Sequence, residues 1–429
     1  MSDLDRRSQI EVKIDELMRR DRITRRSFMG RAGRGTIAIG SMLTLPSILA
    51  ACVPAGSSAS ASASASASGT ATLAPGTGKL RWLNWPAYID ISEDETSYPS
   101  IDAFTDQTDV KVEYDEGLLD NADFLAQYSP DLRAGNNTGW DVMTPGGWVV
   151  ERMARNGWLE ELDHSRLPNW TANCADYAKG LWFDPDNKYS LWWQGGLTGL
   201  AYDPNLTGRE ITTFDDLLDP KFDGIAGGFS DMRDMFGLTL LSLGVEPEKA
   251  TVDDVKRAQE KLLNVPSGHF RGFYGNEYYD SLAAGDLAIS VAWSGDISQM
   301  NLYDNDKVKF VVPDTGGMRW NDNLVIPKGG ANVIEALELL DYYYSVPAAT
   351  MLSEYVGYFT PVKGVSEQID ADADAAKADG DKETYDLYKA LAPTVVPDDT
   401  QIANTFPDKQ LDEDEEKQWN DLFEAVIGA

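Results

Sequence analysis

Leu80-Arg81-Trp82-Leu83-Asn84-Trp85-Pro86-Ala87-Tyr88-Ile89 is the stretch from which the rest of the chain can be read. Its first half alternates as a half-buried strand does. Pro86 has no N–H to give to a ladder, so the strand ends before it. Trp85 and Tyr88 then stand past the carboxyl end of a strand, where open α/β sheets place their ligands. Two flat aromatic faces there suit a cation or an apolar chain. The same residues could equally be ordinary core aromatics.

Working outward, residues 110–114 alternate as a second strand and residues 122–134 carry a helical pattern. A short strand over 141–144 is stopped by Pro145-Gly146-Gly147, and Trp148 opens an amphipathic helix. Strands alternating with helices predict an α/β sheet. Trp148 is a second aromatic at the carboxyl end of a strand. Residues 190–194 and 197–202 read as two strand-like runs joined through Gly195-Gly196, with no helix between them, which suits a crossover between two lobes. After a Gly-rich strand over 224–229, Ser230 is placed to cap a helix beginning at Asp231. Asp231 and Asp234, three apart, share one face of it. Acidic residues in a first turn serve the helix dipole; the sharper reading is a carboxylate pair that grips an ammonium group. A buried strand over 287–293 ends in Trp293. Trp320 and Asp322 lie two apart, so on an extended chain they face the same way and form an aromatic plane beside a carboxylate. Residues 331–345 read as a helix whose Tyr342-Tyr343-Tyr344 run packs rather than binds iron, because tyrosines wound along a helix diverge. Residues 366–386 read as exposed, and residues 410–427 as a terminal helix.

At 429 residues the chain is long for one core, and two lobes are expected. Its formal net charge is −33. Residues 1–51 hold ten Lys/Arg and six Asp/Glu, leaving 27 against 64 in the rest. Such a surface disfavours nucleic acid and anionic headgroups and favours cations. Residues 1–51 read as an export signal: Thr24-Arg25-Arg26-Ser27-Phe28-Met29 has the twin-arginine pattern, a short apolar run follows, and Leu49-Ala50-Ala51-Cys52 resembles a lipobox whose thiol takes a lipid. Residues 53–78 cannot bury apolar surface and read as a tether, with a span of roughly 25–30 Å. Cys52 and Cys174 are the only cysteines, so lipidation of the first leaves no internal disulfide. Cys174, His164 and His269 read as packed or surface groups, and no zinc-type spacing occurs. No metal, cofactor or catalytic residue is expected, and nucleophile–base pairs are absent from the reading.

Taken together, Asn84-Trp85 with Tyr88, residues 141–148, Asp184-Pro185 through Tyr189-Ser190, Ser230 to Asp234, Trp293-Ser294-Gly295, Trp320-Asn321-Asp322 and Gly357-Tyr358-Phe359-Thr360-Pro361 resemble, in order and spacing over some 280 residues, the polyamine (spermidine/putrescine) binding proteins of ABC importers. The resemblance implies a two-lobed α/β periplasmic-binding-protein fold, type II, joined by crossover hinge segments. Residues 79–196 with 320–365 would form lobe one, and 197–319 with 366–429 lobe two. Trp85, Tyr88, Trp148, Trp293 and Trp320 would wall the cleft, and Asp231, Asp234 and Asp322 would bind the amines. An ABC permease would be the partner, the membrane would be reached through lipid on Cys52, and the protein would work as an exported monomer on the outer face of the cytoplasmic membrane. Pro86-Ala87 stands where the family often has an acidic residue, and Gly146 where a hydroxyl is common, which questions spermidine itself. The competing readings are another cationic or sugar-like cargo, a carboxylate-pair glycosidase, or a surface sensor.

Overall fold

The computed structural model describes residues 76–92, 96–303 and 307–428, so the export signal, Cys52 and nearly all of the tether lie outside the described residues. Ten strands form one sheet: β1 (Lys79–Leu83), β2 (Lys111–Asp115), β3 (Val142–Met143), β4 (Ser190–Tyr202), β5 (Ala226–Phe229), β6 (Phe270–Tyr274), β7 (Ile289–Trp293), β8 (Lys309–Val311), β9 (Gly317–Val325) and β10 (Thr405–Phe406). The order is β2-β1-β3-β9-β4-β7-β5-β6, with β8 on β4 and β10 on β9. β1 is parallel to β2 and β3, and β5 is parallel to β6 and β7. Each parallel set lies on one side of β4 and β9, which run antiparallel to each other through the middle. β1 stops at Leu83, ahead of Pro86, as the missing donor requires.

Residues 190–202 are one strand of 13 residues, where the sequence suggests two runs. The register along β9 shifts between Trp192 and Gln194, and the pairing then resumes through the glycines. A bulge bends a strand without ending it. The two central strands thereby link two cores. Leu191, Trp193 and Leu324 sit in the first, with Trp82, Phe104 and Tyr343; Leu200, Tyr202 and Met318 sit in the second, with Phe236, Val291 and Trp419. A further apolar cluster around Met143, Val149 and Phe183 adjoins the first.

The three consecutive tyrosines do diverge. The Tyr342 hydroxyl donates to Ser100 O (3.0 Å), Tyr344 to Trp192 O (2.6 Å), and the Tyr343 ring meets Trp193 at 4.7 Å. The helix Val333–Tyr342 ends at the first of them, with Tyr343 as its C-cap, and a separate helix, Val346–Val356, follows with Pro347 in its first turn. The sequence reading assigns residues 366–429 to lobe two as one piece; packing divides them. Residues 366–386 are mostly helical, in Val365–Ala378 and Lys382–Leu391, and Ile369, Ala373, Tyr388 and Leu391 join the first core. The chain from β10 through the helix Glu413–Ile427 goes to the second, through Phe406, Leu411, Trp419, Phe423 and Val426. The alternation of acidic and alanine residues concealed an apolar stripe on each helix. Cys174 is fully buried, and burial pushes its thiol up to about 11. His269 is held between Asp223 (2.6 Å) and Leu217 O (2.8 Å). No helix among the described residues is long and apolar enough to cross a membrane.

Candidate functional site

The carboxyl ends of the parallel strands on both sides point at one cavity of about 480 Å³. This is where such strands leave a crevice free of crossing helices. From β1 come Trp85, Pro86 and Tyr88; from β3, residues 146–148; from β5, residues 229–234; from β6, Tyr274 to Glu277; from β7, Trp293. The middle of β9 contributes residues 319–322. All eight residues singled out in the sequence (Trp85, Tyr88, Trp148, Asp231, Asp234, Trp293, Trp320 and Asp322) line this cavity.

An aromatic wall runs across it. Tyr88 meets Tyr358 (5.4 Å between ring centres), Tyr358 meets Trp320 (5.6 Å), Trp320 meets Trp293 (6.2 Å), and Trp293 meets Phe229 (4.7 Å). Two glycines permit it. A Cβ on Gly196 would come within 2.7 Å of the Trp320 ring, and one on Gly295 within 2.5 Å of the Tyr358 ring. Ala87 takes φ of +54°, a turn that L-residues adopt at a cost, between Pro86 and the buried Tyr88.

Asp322 closes one end. It is 8% exposed, and burial pushes its carboxyl up to about 7, offset in part by Tyr88 and Trp85 beside it. The Tyr88 hydroxyl lies near that carboxyl without a hydrogen bond to it, and Trp85 Nε1–H donates a hydrogen bond to Thr144 O (2.9 Å). The Tyr88 hydroxyl is itself held well above its usual pKa, by burial first and by Asp322 next. Asp322 thus faces the cavity with acceptor capacity in a dry aromatic setting, where an arriving cation is worth most.

The opposite end is built differently from the sequence reading. Asp231, not Ser230, caps the helix Met232–Ser242: one carboxylate oxygen accepts from Arg233 N (2.8 Å) and Asp234 N (2.9 Å). Asp231 keeps surface exposed to the cleft, yet the protein packed around it raises its carboxyl as well, burial first, against Asp234 N and the Arg233 charge. Asp234 is 7% exposed, with one oxygen accepting from Thr198 Oγ1 (2.8 Å) and the other from Trp293 Nε1 (3.1 Å). Burial, then Asp231 and Asp408, raise its pKa well above the usual carboxylate range, against those two hydrogen bonds. The shared helical face therefore carries a cap and a tethered carboxyl rather than two free ones.

Trp148 lines the cavity, but its ring is covered by the protein's own cations. The Arg233 guanidinium lies 4.2 Å from the ring centre and that of Arg152 5.4 Å. Both arginines reach Glu416, Arg233 at 3.0 Å and Arg152 at 2.5 Å, and Gln410 donates to Glu151 (2.7 Å). Arg152 and Glu151 belong to the helix Gly147–Arg155 on one side of the cleft, and Arg233 and Glu416 to helices on the other. This is a bridge between the two halves.

Sequence reasoning passed over Tyr358, Phe229, Arg233, Glu277 and Asp408, all of which line the cavity. Tyr358 stands in a segment quoted for the resemblance, and that was its only signal. Asp408 had none.

Residues 100–380 match the profile of the family described as bacterial extracellular solute-binding protein. The spermidine/putrescine-binding periplasmic protein 1 of Haemophilus influenzae is 30% identical over 261 residues, 61% of this chain and 71% of that protein. The putrescine-binding periplasmic protein PotF of Escherichia coli is 26% identical, over 70% of this chain and 82% of that one. Among solved structures, a putative spermidine/putrescine ABC transporter protein from Listeria monocytogenes superposes with a TM-score of 0.67 at 26% identity, over 82% of this chain and 99% of that one.

Proposed function

The chain belongs to the bacterial extracellular solute-binding protein family, and from that premise we propose that it captures a polyamine between its two halves and delivers it to an ABC permease. It is a binding protein rather than an enzyme, as its relatives are. The observation that carries the cargo class is the wall running from Tyr88 to Phe229 with a carboxyl at each end: Asp322 on one side, Asp231 with Asp234 on the other. Methylenes lie against aromatic faces, and ammonium groups meet carboxylates and ring quadrupoles. Trp85, Trp293 and Trp320 are the proposed sandwich, and Trp148 supports it from behind its arginines. A cargo that touches both halves favours their approach, because only differential contact shifts such an equilibrium.

The lipid anchor on Cys52, export by the twin-arginine signal, a monomeric state, and the division into lobes joined at β4 and β9 are parts of the same proposal. Calorimetry with putrescine, spermidine, amino acids and sugars tests the cargo. A thermal shift is a second readout, since a ligand at 100 times its Kd adds about 2.7 kcal/mol. A sugar or neutral amino acid that binds while neither amine does would sink the amine reading. Labelling with radioactive fatty acid tests the anchor: Cys52→Ala should lose the label and the membrane association.

A further inference from the structure

Gln194 stands on β4 where the ladder with β9 slips by one residue. The slip puts Gln194, in place of Trp193, directly opposite Asp322. Residues directly opposed on antiparallel strands leave the sheet on one face, with Cβ atoms about 4.5–5.5 Å apart. Two residues on, Gly196 opposes Trp320, and a Cβ there would come within 2.7 Å of that ring. Gln194 therefore rises from the face that carries Trp320 and Asp322, yet it does not line the cavity.

Gln194 is 1% exposed, and neither its Nε2 nor its Oε1 finds a hydrogen-bond partner among the described residues. Among those residues it is the only buried side chain with two such atoms. The Tyr88 hydroxyl, buried beside Asp322, has no partner either. An unmade hydrogen bond in a dry setting is costly, so a polar side chain kept there calls for a second arrangement in which the bond is made. The Asp322 carboxylate is an acceptor in reach of both groups. Tyr88 already lies beside it, and a glutamine side chain spans the distance between opposed Cβ atoms. Burial pushes that carboxyl up to about 7, so hydrogen bonds given to its ionised form decide how much of it is charged near neutral pH. Tyr88 and Tyr358 face it, with Asp296 of the helix Ser294–Tyr303 behind both, and no cation is among the groups that shift it.

We propose that Gln194 is a positioning residue for Asp322. When that carboxyl gives its proton to solvent and meets an ammonium group, the Gln194 amide N–H turns to one carboxylate oxygen and the Tyr88 hydroxyl to the other. The lone pairs that remain face the cavity. Loss of the proton, and not the cargo itself, calls up these two bonds, so the same turn accompanies ionisation in the empty protein. The inference rests on the reading of Asp322 as an amine-binding carboxylate, and it assigns Gln194 no contact with the cargo.

The test is Gln194→Met, which keeps the length of the side chain and removes its amide. Carbon-13 NMR of the aspartate carboxyls follows Asp322 without any cargo, with Asp322→Asn identifying its signal. A hydrogen bond to the charged form favours that form, so its loss should raise the midpoint of Asp322 by about one unit. Calorimetry should show putrescine and spermidine binding about fivefold more weakly at pH 7, with the rise of affinity displaced to higher pH by the same unit. At pH 5, where Asp322 holds its proton in both proteins, the melting temperature of the cargo-free variant should not fall, because an unpartnered buried amide gives way to an apolar group of similar size. In an Asp322→Asn background, Gln194→Met should change amine affinity by less than about twofold. A midpoint and a pH profile that stay where they are overturn the positioning role while the amine reading stands. A lowered melting temperature, or an equal loss of affinity in the Asp322→Asn background, reduces Gln194 to a structural residue and overturns it as well. If the parent binds neither amine and the midpoint still moves, Gln194 keeps its hold on Asp322 and the amine reading fails.

Discussion

The two ends of the cavity use the same residue type in opposite ways. At one end a single aspartate, Asp322, sits in an aromatic setting with Tyr88, Trp320 and Tyr358 nearby and no arginine among its pKa-shifting neighbours. At the other, three aspartates crowd around Arg233, and two of them already accept hydrogen bonds from the protein. The difference shows that a count of carboxylates is a poor measure of grip. What matters is the acceptor capacity left over after the fold has been satisfied, and the dielectric in which it acts. Asp322 has both in its favour. The crowded end holds more charge but shares it with an arginine bridge.

The largest effect expected from this contrast is at Asp322. Asp322→Asn should weaken amine binding by roughly 30-fold or more, since losing one partner of a buried charge pair typically costs about 2–5 kcal/mol. Asp231→Asn should cost less, because its cap can be kept by an asparagine side-chain oxygen. Titration calorimetry of the two variants decides the ranking, and equal losses would erase the distinction between the ends.

The next effect is a pH dependence. In the empty protein Asp322 titrates at about 7. Its folded value is raised above the unfolded one of about 3.9, so the folded protein holds the extra proton between those limits. The resulting contribution to the stability of the empty protein is fully present below the unfolded value and is lost as pH rises through the folded one. Cargo binding has the opposite sign, because an ammonium needs the carboxylate. Affinity should therefore rise from pH 5 to 7, by at most about tenfold per unit for one proton released, and level off above. Calorimetry in buffers of different ionisation heat counts the protons. Asp322→Asn should flatten the profile, and a persistent slope in that variant would assign it to Asp231, Asp234 or Asp408 instead.

The smallest effect is expected at the bridge. Glu416→Gln removes the shared anion between Arg152 and Arg233 while leaving every wall of the cavity in place. It should lower all amine affinities alike, by about fivefold or less, through a smaller population of the competent arrangement. Small-angle scattering of the ligand-free variant should show a larger radius of gyration. A selective loss of one amine would mean that the bridge acts on the cargo and not on the equilibrium between the halves.

Much of this site was legible in the sequence for local reasons. A proline cannot donate, so Pro86 placed Trp85 and Tyr88 beyond a strand end. A pleat has period two, so Trp320 and Asp322 had to share a face. Asp231 and Asp234 belonged to the first turn of a helix because of their spacing. Short-range geometry also separated Tyr342, Tyr343 and Tyr344. Tertiary structure alone decided the rest. Whether Asp234 is free depends on Thr198 and Trp293, 36 and 59 residues away, and no window of sequence contains all three. The face of Trp148 is taken by an arginine from the other half of the molecule. Ile369 and Tyr388 joined the first core, not the second, because helix stripes state that a face is apolar but not which core will receive it. Asp408 reached the cavity only because β10 pairs with β9, a long-range register that nothing in its neighbouring residues encodes. Period, capping and chirality act within a few residues, while the state of a charge is set by whatever the fold brings beside it.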